Sequence, residues 1–312
     1  MSSKETVRRF VKRVLPKPAR ELYRRLATGY SCDDFPGMIS IEERQFYSRC
    51  SKEKKGDLGS IVDLGCWMGA TTAALANGLT SNGAGLPPTE VIHAYDQFLW
   101  QPWMDYVKDQ TFGVYESGES FLPEARRRVA GYGKLIQMHA ADLTRFEWAG
   151  GPIKILLVDA MKSSELAKAI TMNFFPSLLT GALLIHQDYK HYFTPWIHVL
   201  QYRLKDYCAF IHSVPHSGTV CFRILSPIPL ETIHEAADLT SVEDKEVEAA
   251  IGYSLSLVGT EGAENIGAAH VMHYLHNNNH IKAREIHRQY AARGMADRGD
   301  MQVVEDRLRA LS

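Results

Sequence analysis

The sequence lacks long hydrophobic runs and an excess of charge of either sign. No apolar stretch of about 18 residues occurs in the 312-residue chain, so no membrane-spanning helix is predicted. The amino terminus is basic but has no apolar segment of the kind found in secretory signal peptides. The formal net charge of −1 does not favour a protein that coats nucleic acid. We therefore expect a cytoplasmic protein without a nucleic-acid partner.

Cysteine is also scarce and has no regular spacing. The five cysteines form no C-x-x-C pair and are Cys32, Cys50, Cys66, Cys208 and Cys221. An odd, scattered set fits neither a disulfide framework nor a zinc module. The pattern is typical of reduced, buried thiols in a cytoplasmic protein.

A three-glycine dinucleotide loop is missing as well. The segment "IVDLGCWMGATTAALANGL" has glycines at Gly65 and Gly69, but Trp67 stands where G-x-G-x-x-G needs its second glycine. A bulky side chain there obstructs a pyrophosphate, so NAD is disfavoured. The two glycines still allow close backbone approach, and a helix starting near Ala70 presents free N–H groups to an anion. The segment predicts a strand, a ligand-binding loop and a helix.

The central part of the chain alternates short apolar runs with helical segments. Five strand candidates are "SIVDLG", "VIHAYD", "KLIQMHA", "IKILLVDA" and "GALLIHQD", and "YCAFIHSV" and "TVCFRIL" form a hairpin across "PHSG". Apolar runs without alternation are typical of strands covered on both faces. The order predicts an α/β fold: a doubly wound, Rossmann-like, mostly parallel seven-stranded sheet with an antiparallel hairpin edge.

Three regions are predicted along the chain. Residues 1–38 form a basic arm, residues 39–229 a ligand-binding domain, and residues 230–312 a helical extension. Residues 1–25 hold nine Lys or Arg and two Glu, with apolar residues at helical spacing. The arm is either a solvated helix or an amphipathic segment in peripheral contact with an anionic membrane. We also expect a homo-oligomer.

Polar residues follow the predicted strands, where ligands bind in open α/β sheets. Asp96 is placed to accept both hydroxyls of a ribose, and Asp142 either accepts from an exocyclic amine or caps a helix. Asp159 and Asp188 should meet at adjacent strand ends, where two carboxylates bind a hard cation or one acts as a base. His191 is a second base candidate or an exposed loop histidine.

Together these motifs resemble the class I S-adenosylmethionine-dependent methyltransferases. The similarity is to macrocin-type sugar O-methyltransferases and cephalosporin hydroxylase-like methyltransferases. It is carried by "VDLGCWMGATT" and "HAYDQF", and more weakly by "VDAM" and "HQDY", over about residues 40–225. The cofactor of that family presents a methionine carboxylate and one ribose to the loop. The resemblance therefore permits a bulky residue at position 67.

The resemblance implies sites for S-adenosylmethionine, a metal and an acceptor. Catalysis would fall to Asp159 and His191, and Mg²⁺ would lie at Asp159, Gln187 and Asp188. Gln187 and Met161 depart from the family's acidic positions. The acceptor would be a small-molecule or sugar hydroxyl. The cofactor would be bound by Asp63, Gly65, Cys66, Trp67, Gly69, Thr71, Thr72, Asp96, Gln97, Asp142 and Leu143.

Two other functions remain open at this point. A non-catalytic, methyltransferase-like binding or assembly protein would also show degraded "VDAM" and "HQDY" motifs, and an NAD-dependent oxidoreductase is the second alternative. The aromatic segment "FLWQPWMDYVKDQTFGVY" offers side chains that stack on a sugar ring or that belong to the core or a dimer contact. These aromatic side chains are Trp100, Trp103, Tyr106 and Phe112.

Overall fold

The computed structural model describes residues 35–81, 90–240, 242–295 and 299–311. The predicted basic arm, apart from residues 35–38, lies outside the described residues, as does Cys32. The arm's membrane contact therefore stays a prediction. Within the described ranges, no helix combines the length and the apolar character needed to cross a membrane. The remaining four cysteines are buried free thiols.

A seven-stranded sheet forms the centre of the molecule. Its spatial order is β3-β2-β1-β4-β5-β7-β6, and only β7 runs antiparallel to its neighbours β5 and β6. This confirms the predicted mostly parallel sheet with a hairpin edge. The strands are β1 (Ser60–Leu64), β2 (Ile92–Asp96), β3 (Ile136–Ala140), β4 (Ile153–Val158), β5 (Leu178–His186), β6 (Cys208–Ser213) and β7 (Val220–Ile224).

Helices cover the sheet and make up most of the chain after residue 230. Short 3₁₀ segments at Pro102–Gln110, Ala130–Leu135 and Phe175–Ser177 join some of these elements. The α-helices in the described ranges are α1 (Ile41–Glu53), α2 (Ala70–Thr80), α3 (Leu122–Val129), α4 (Ser164–Phe174), α5 (Trp196–Arg203), α6 (Leu230–Ala237), α7 (Asp244–Val258), α8 (Ala263–His276), α9 (His280–Ala292) and α10 (Asp300–Ala310).

The sheet has an apolar core on each face. Successive residues of a strand point to opposite faces. Ile155 and Leu157 of β4 accordingly join the core that contains α2, whereas Leu156 and Val158 join the core that contains α4. All six residues of β4 are buried. This two-sided burial explains why the strand sequences are continuous apolar runs rather than alternating ones.

Helix α1 begins at a capping box and packs closely on α2. The Ser40 hydroxyl accepts the Glu43 N–H at 3.1 Å, and the Glu43 carboxylate accepts the Ser40 N–H at 2.8 Å. Gly78 of α2 has no Cβ, and a Cβ there would overlap the Ser48 carbonyl oxygen of α1. The absence of a side chain at position 78 is therefore required for the close approach of the two helices.

The helices after residue 230 pack against the sheet-bearing part of the chain through buried polar contacts. The Ser254 hydroxyl of α7 lies 2.8 Å from the Tyr189 hydroxyl and 2.9 Å from Nδ1 of His198. Arg203 of α5 donates two hydrogen bonds to the Glu246 carboxylate, at 2.7 and 2.8 Å. The boundary at residues 229 and 230 stays a prediction, but the helices that follow it share buried contacts with the core.

Buried histidines predict a loss of stability in mild acid. Burial lowers the pKa of His186 and His270 to about 4 and that of His198 to about 3. Because the unfolded value is about 6.5, the unfolded chain binds these protons first. The contribution of the neutral histidines to the free energy of unfolding is complete above a pH of about 6.5. It decreases as the pH falls toward their pKa values in the folded state. Between pH 7 and 5 we expect a loss of about 2 kcal/mol per histidine at most, measured by urea unfolding.

The variant His198→Asn keeps a polar partner for Ser254 and cannot be protonated in this range. It should reduce the pH dependence of unfolding, whereas His234→Asn, at an exposed position of α6, should not. An identical pH dependence in the two variants would contradict the assignment to His198.

Candidate active site

The candidate site lies at the carboxyl ends of the parallel strands. The chain places β2 and β3 on one side of β1, and β4 and β5 on the other. The strand order reverses between β1 and β4, and open α/β sheets bind ligands at such a point. Asp63, Asp96, Asp159 and Asp188 all lie at or just beyond these strand ends. The structure thus brings the four predicted carboxylates to one crevice.

The loop from Gly65 to Gly69 connects β1 to α2 through left-handed backbone. Gly65 has φ 86°, and a Cβ there would overlap the carbonyl oxygen of Asp159, so the loop touches the end of β4. Gly69 has φ 88° and caps α2, where a Cβ would lie 2.9 Å from Cγ1 of Val129. Trp67 also has a positive φ, 42°, which for a bulky residue costs on the order of 1 kcal/mol.

Asp96 holds this loop in place. Its Oδ2 accepts the backbone N–H of Trp67 at 3.0 Å, and its Oδ1 accepts the backbone N–H of Phe98 at 2.8 Å. Burial raises the pKa of Asp96, although these N–H bonds act to lower it. A carboxylate has about four acceptor positions, so the bonds to backbone N–H groups do not use all of them.

Asp63 lies beneath the loop and is fully buried. Its Oδ2 accepts the hydroxyls of Thr71 at 2.7 Å and Thr72 at 2.6 Å. Burial raises the pKa of Asp63 to about 6, although the two hydroxyl bonds act in the opposite direction. In the described part of the chain, Oδ1 of Asp63 and Nε1 of Trp67 are buried and have no hydrogen-bond partner. Oδ1 of Asp63 is a hydrogen-bond acceptor, and Nε1 of Trp67 is a donor.

The other predicted cofactor residues take different positions. Cys66 is buried, and burial raises the pKa of its thiol well above the usual range. The Gln97 side chain is exposed. Asp142 is exposed and accepts the N–H and hydroxyl of Thr144 at 3.0 and 2.7 Å, whereas Leu143 is buried in the core. Asp142 therefore closes a local turn and caps no helix, since the next element along the chain is β4.

Asp159 and Asp188 share a lysine that the sequence analysis did not single out. Lys162 Nζ donates to Oδ1 of Asp159 at 2.7 Å and also to Oδ2 of Asp188. Burial raises the pKa of Asp159 well above its usual range, with a contribution from the charge of Asp188. For Asp188 burial acts to raise the pKa, but the charge and hydrogen bond of Lys162, together with His191 and Asp159, lower it overall. Of the two carboxyls, Asp159 therefore has the higher proton affinity.

The predicted Mg²⁺ site does not fit these side chains. The Lys162 ammonium lies between the two carboxylates, where a divalent ion would need their oxygens. Gln187 Oε1 accepts the Tyr47 hydroxyl at 3.3 Å. Within the ranges that the structure describes, no cluster of three or more His, Cys, Asp or Glu could hold a metal ion. Mg²⁺ is therefore not supported.

His191 lies beside this cluster: its backbone N–H donates to the Asp188 carbonyl at 3.1 Å, and its charge is one of the causes that lower the pKa of Asp188. Nδ1 of His191 accepts the backbone N–H of Phe193 at 3.3 Å, and its ring lies against Tyr192. His186 is fully buried in β5, in agreement with a structural role. Sequence reasoning also missed Tyr47, whose hydroxyl contacts Gln187 and Thr219. The D-x-x-K spacing from Asp159 to Lys162 was the available signal for the lysine.

A cavity of about 310 Å³ adjoins the carboxylate cluster at Lys162. Trp196 borders it, and the indole Nε1 donates to the carbonyl oxygen of Met161 at 2.8 Å. His276 contacts the Trp196 and Phe193 rings, with centroids 5.4 and 5.3 Å apart. The sheet-bearing part of the chain and the later helices both contribute to the walls of the cavity. The lining residues are Lys162, Ser163, Ser164, Glu165, Phe193, Pro195, Trp196, Val199, Leu239, Val242, His273, His276 and Asn277.

The aromatic segment after β2 divides between core and surface. Trp100 is 2% exposed and stacks on Tyr115, so it belongs to the core. Trp103 and Tyr106 are 56% and 70% exposed. Phe112 lies under the Arg128 guanidinium. These residues are not among those that line the cavity.

Comparisons with known proteins agree with the resemblance predicted from the motifs. Residues 62–189, which span the crevice from Asp63 to Asp188, match the family described as "Methyltransferase domain". No curated protein matches the sequence.

Solved methyltransferases show a distant likeness in structure. The O-methyltransferase NovP is 17% identical, with a TM-score of 0.47 over 61% of this chain and 82% of NovP. The calicheamicin methyltransferase CalS11 is 15% identical, with a TM-score of 0.47 over 72% of this chain and 93% of CalS11. A Geobacter sulfurreducens methyltransferase is 13% identical, with a TM-score of 0.41 over 71% of this chain and 96% of its own. At these identities and TM-scores, the likeness carries no information about a substrate.

The hydroxyl donors to Asp63 should contribute measurably to stability. Thr72→Val removes a donor from a fully buried carboxylate and should lower the free energy of unfolding by about 1 to 3 kcal/mol, measured by urea denaturation. Thr80→Val is the matched control, because its hydroxyl lies at the exposed end of α2 and bonds only helix carbonyls. Equal losses in the two variants would contradict the role of Thr72 as a support for Asp63.

Proposed function

We propose that this protein is an S-adenosylmethionine-dependent methyltransferase that acts on a hydroxyl of a small molecule or sugar. The observation that supports it most is the crevice itself. It places a glycine loop, a helix start and four carboxylates at the switch point of the sheet, inside a region similar to a methyltransferase domain.

The residues at the loop fit the parts of the cofactor. The unpartnered acceptor Asp63 Oδ1 and the unpartnered donor Trp67 Nε1 match in type the ammonium and carboxylate of a methionine group. Asp96 retains acceptor positions for a ribose diol after binding Trp67 and Phe98. Gly65 and Gly69 allow the left-handed backbone of the loop and its close packing on Asp159 and Val129. Asp142 and Leu143 follow β3, where the resemblance places adenine.

The cavity beside Lys162 is the proposed acceptor site. It adjoins the carboxylates that follow β4 and β5, and Gly65 touches the backbone of Asp159. Its walls include aromatic rings, hydroxyls and imidazoles. Burial lowers the pKa of His273 and His276, so both imidazoles are neutral near pH 7 and can donate and accept hydrogen bonds. Such walls suit an uncharged hydroxylated ring.

Asp159 is the proposed base. Burial raises the pKa of Asp159 whereas the pKa of Asp188 is lowered, so Asp159 is the stronger base of the two. When bound, S-adenosylmethionine supplies an electrophilic methyl group on a sulfonium that becomes a neutral thioether. Asp159 would accept the proton of the acceptor hydroxyl, whose oxygen would be the atom that is methylated. Asp188 stays ionised and holds Lys162 in position. The walls of the cavity orient the acceptor oxygen.

Asp96 should be required for cofactor binding. Asp96→Asn keeps the shape of the side chain but loses its charge, and we expect S-adenosylhomocysteine to bind between about tenfold and hundredfold more weakly by calorimetry. Asp109→Ala, at an exposed carboxylate away from the crevice, should bind normally. Unchanged binding by Asp96→Asn would reject the cofactor assignment. Binding of NADH, followed by fluorescence, would favour an oxidoreductase instead.

The cavity should govern acceptor use. Transfer of labelled methyl groups to a panel of methyl glycosides and phenols would identify an acceptor. With that acceptor, Trp196→Ala should lower kcat/KM by about tenfold through lost packing, with S-adenosylhomocysteine affinity unchanged. Trp103→Ala, at an exposed indole outside the cavity, should have little effect. A larger loss of kcat/KM in Trp103→Ala than in Trp196→Ala would instead place the acceptor against the segment after β2. Cofactor binding without turnover of any acceptor would favour the non-catalytic alternative.

A further inference from the structure

We infer that Lys162 is a built-in cation that fills the position between Asp159 and Asp188, so that the crevice works without a divalent metal and excludes one. Its role as a cation in the protein stands on geometry alone. Its role toward the acceptor oxygen rests on the function proposed above.

The first support is the position of the lysine. Strands β4 and β5 are neighbours, with Val158 paired to His186, so the residues that follow them share one strand end. Lys162 comes three residues after Asp159 and reaches the carboxylates of both Asp159 and Asp188. About half of its side chain is exposed, while its ammonium contacts the two less exposed carboxylates.

The backbone that carries Lys162 is fixed at several points. The Lys162 N–H donates to the Ala160 carbonyl at 2.8 Å, and the Trp196 indole binds the Met161 carbonyl. The next residue, Ser163, caps α4 by accepting the N–H of Leu166. Lys162 therefore lies on a turn whose backbone is fixed by hydrogen bonds and which leads into α4. Holding its side chain against the two carboxylates costs less conformational entropy than it would on a free loop.

Charge and ligand type also favour the lysine over a metal. The Lys162 ammonium already pairs with both carboxylates, so a second cation would have to displace it or bind beside its like charge. Like charges at contact distance are strongly unfavourable in a partly buried site. The position beside Asp188 holds Gln187, a neutral amide already bonded to Tyr47. Mg²⁺ prefers several carboxylate or water oxygens in an octahedral arrangement, and these side chains offer few.

The lysine also connects the carboxylates to the cavity. It is one of the residues that line the cavity, and two of its three N–H donors are accounted for by Asp159 and Asp188 in the described part of the chain. The third donor is available to an acceptor oxygen. On this basis Lys162 positions the acceptor hydroxyl beside Asp159, which is the task that a bound divalent ion would otherwise perform.

Binding of Mn²⁺, followed by electron paramagnetic resonance of the free ion, tests the inference without any substrate. The wild-type protein should leave Mn²⁺ free. Lys162→Ala exposes two adjacent carboxylates and should bind one Mn²⁺ at least about tenfold more tightly. Lys162→Arg keeps the charge and should not bind it. Lys168→Ala, at an exposed lysine of α4, is the matched control and should behave like the wild type.

The double variant Lys162→Ala with Asp188→Asn locates the gained site, because it should lose the Mn²⁺ that the single variant binds. Circular dichroism and thermal unfolding would show that each variant is folded. Binding of one Mn²⁺ by the wild type, abolished by Asp188→Asn, would overturn the inference. So would a folded Lys162→Ala that binds no Mn²⁺.

The test separates this inference from the proposed function. Calorimetry with S-adenosylhomocysteine on the wild type reports on the cofactor site, which does not contain Lys162. Failure of that binding would reject the methyltransferase proposal and leave the Mn²⁺ result intact. Binding of S-adenosylhomocysteine together with wild-type Mn²⁺ binding would keep the proposal and reject the built-in cation.

Discussion

The candidate site depends on the parallel pairing of β1 with β4. Leu64 lies opposite Val158, and the Asp159 N–H donates to the Leu64 carbonyl at 2.8 Å. This pairing brings the glycine loop after β1 against the residues after β4, so closely that position 65 has no room for a Cβ. The proposed cofactor residues and the Asp159–Lys162–Asp188 cluster are neighbours for this reason. A shift in the register of either strand would separate them.

The sequence was informative wherever local pattern and burial agree. The continuous apolar runs predicted the two-sided sheet. Six of the seven strands lie within the predicted segments, and β5 begins earlier than predicted, at Leu178. The capping box at Ser40 and Glu43 likewise involves only residues three apart. The crevice carboxylates were readable because parallel strands end on the same side of a sheet. These features depend on short-range chemistry or on topology rules, and neither requires knowledge of side-chain contacts.

Contacts between distant residues could not be predicted in the same way. Tyr47 and Gln187 are separated by 140 positions, and their bond depends on how α1 packs. Thr71 and Thr72 were assigned to the cofactor, but their hydroxyls bind Asp63, because a buried carboxylate needs donors. The Mg²⁺ prediction followed the family's acidic positions and did not weigh Lys162. A lysine after a strand is common, and only its distances to both carboxylates reveal its role.

The hydroxyl of Ser254 has a consequence for how the chain can be divided. It joins α7 to both Tyr189 and His198, all of them fully buried. A fragment that ended near residue 229 would expose Tyr189 and leave His198 facing water, and the cavity would lose the His273 and His276 side of its wall. The later helices are thus integral to the folding unit, and expression fragments should retain them.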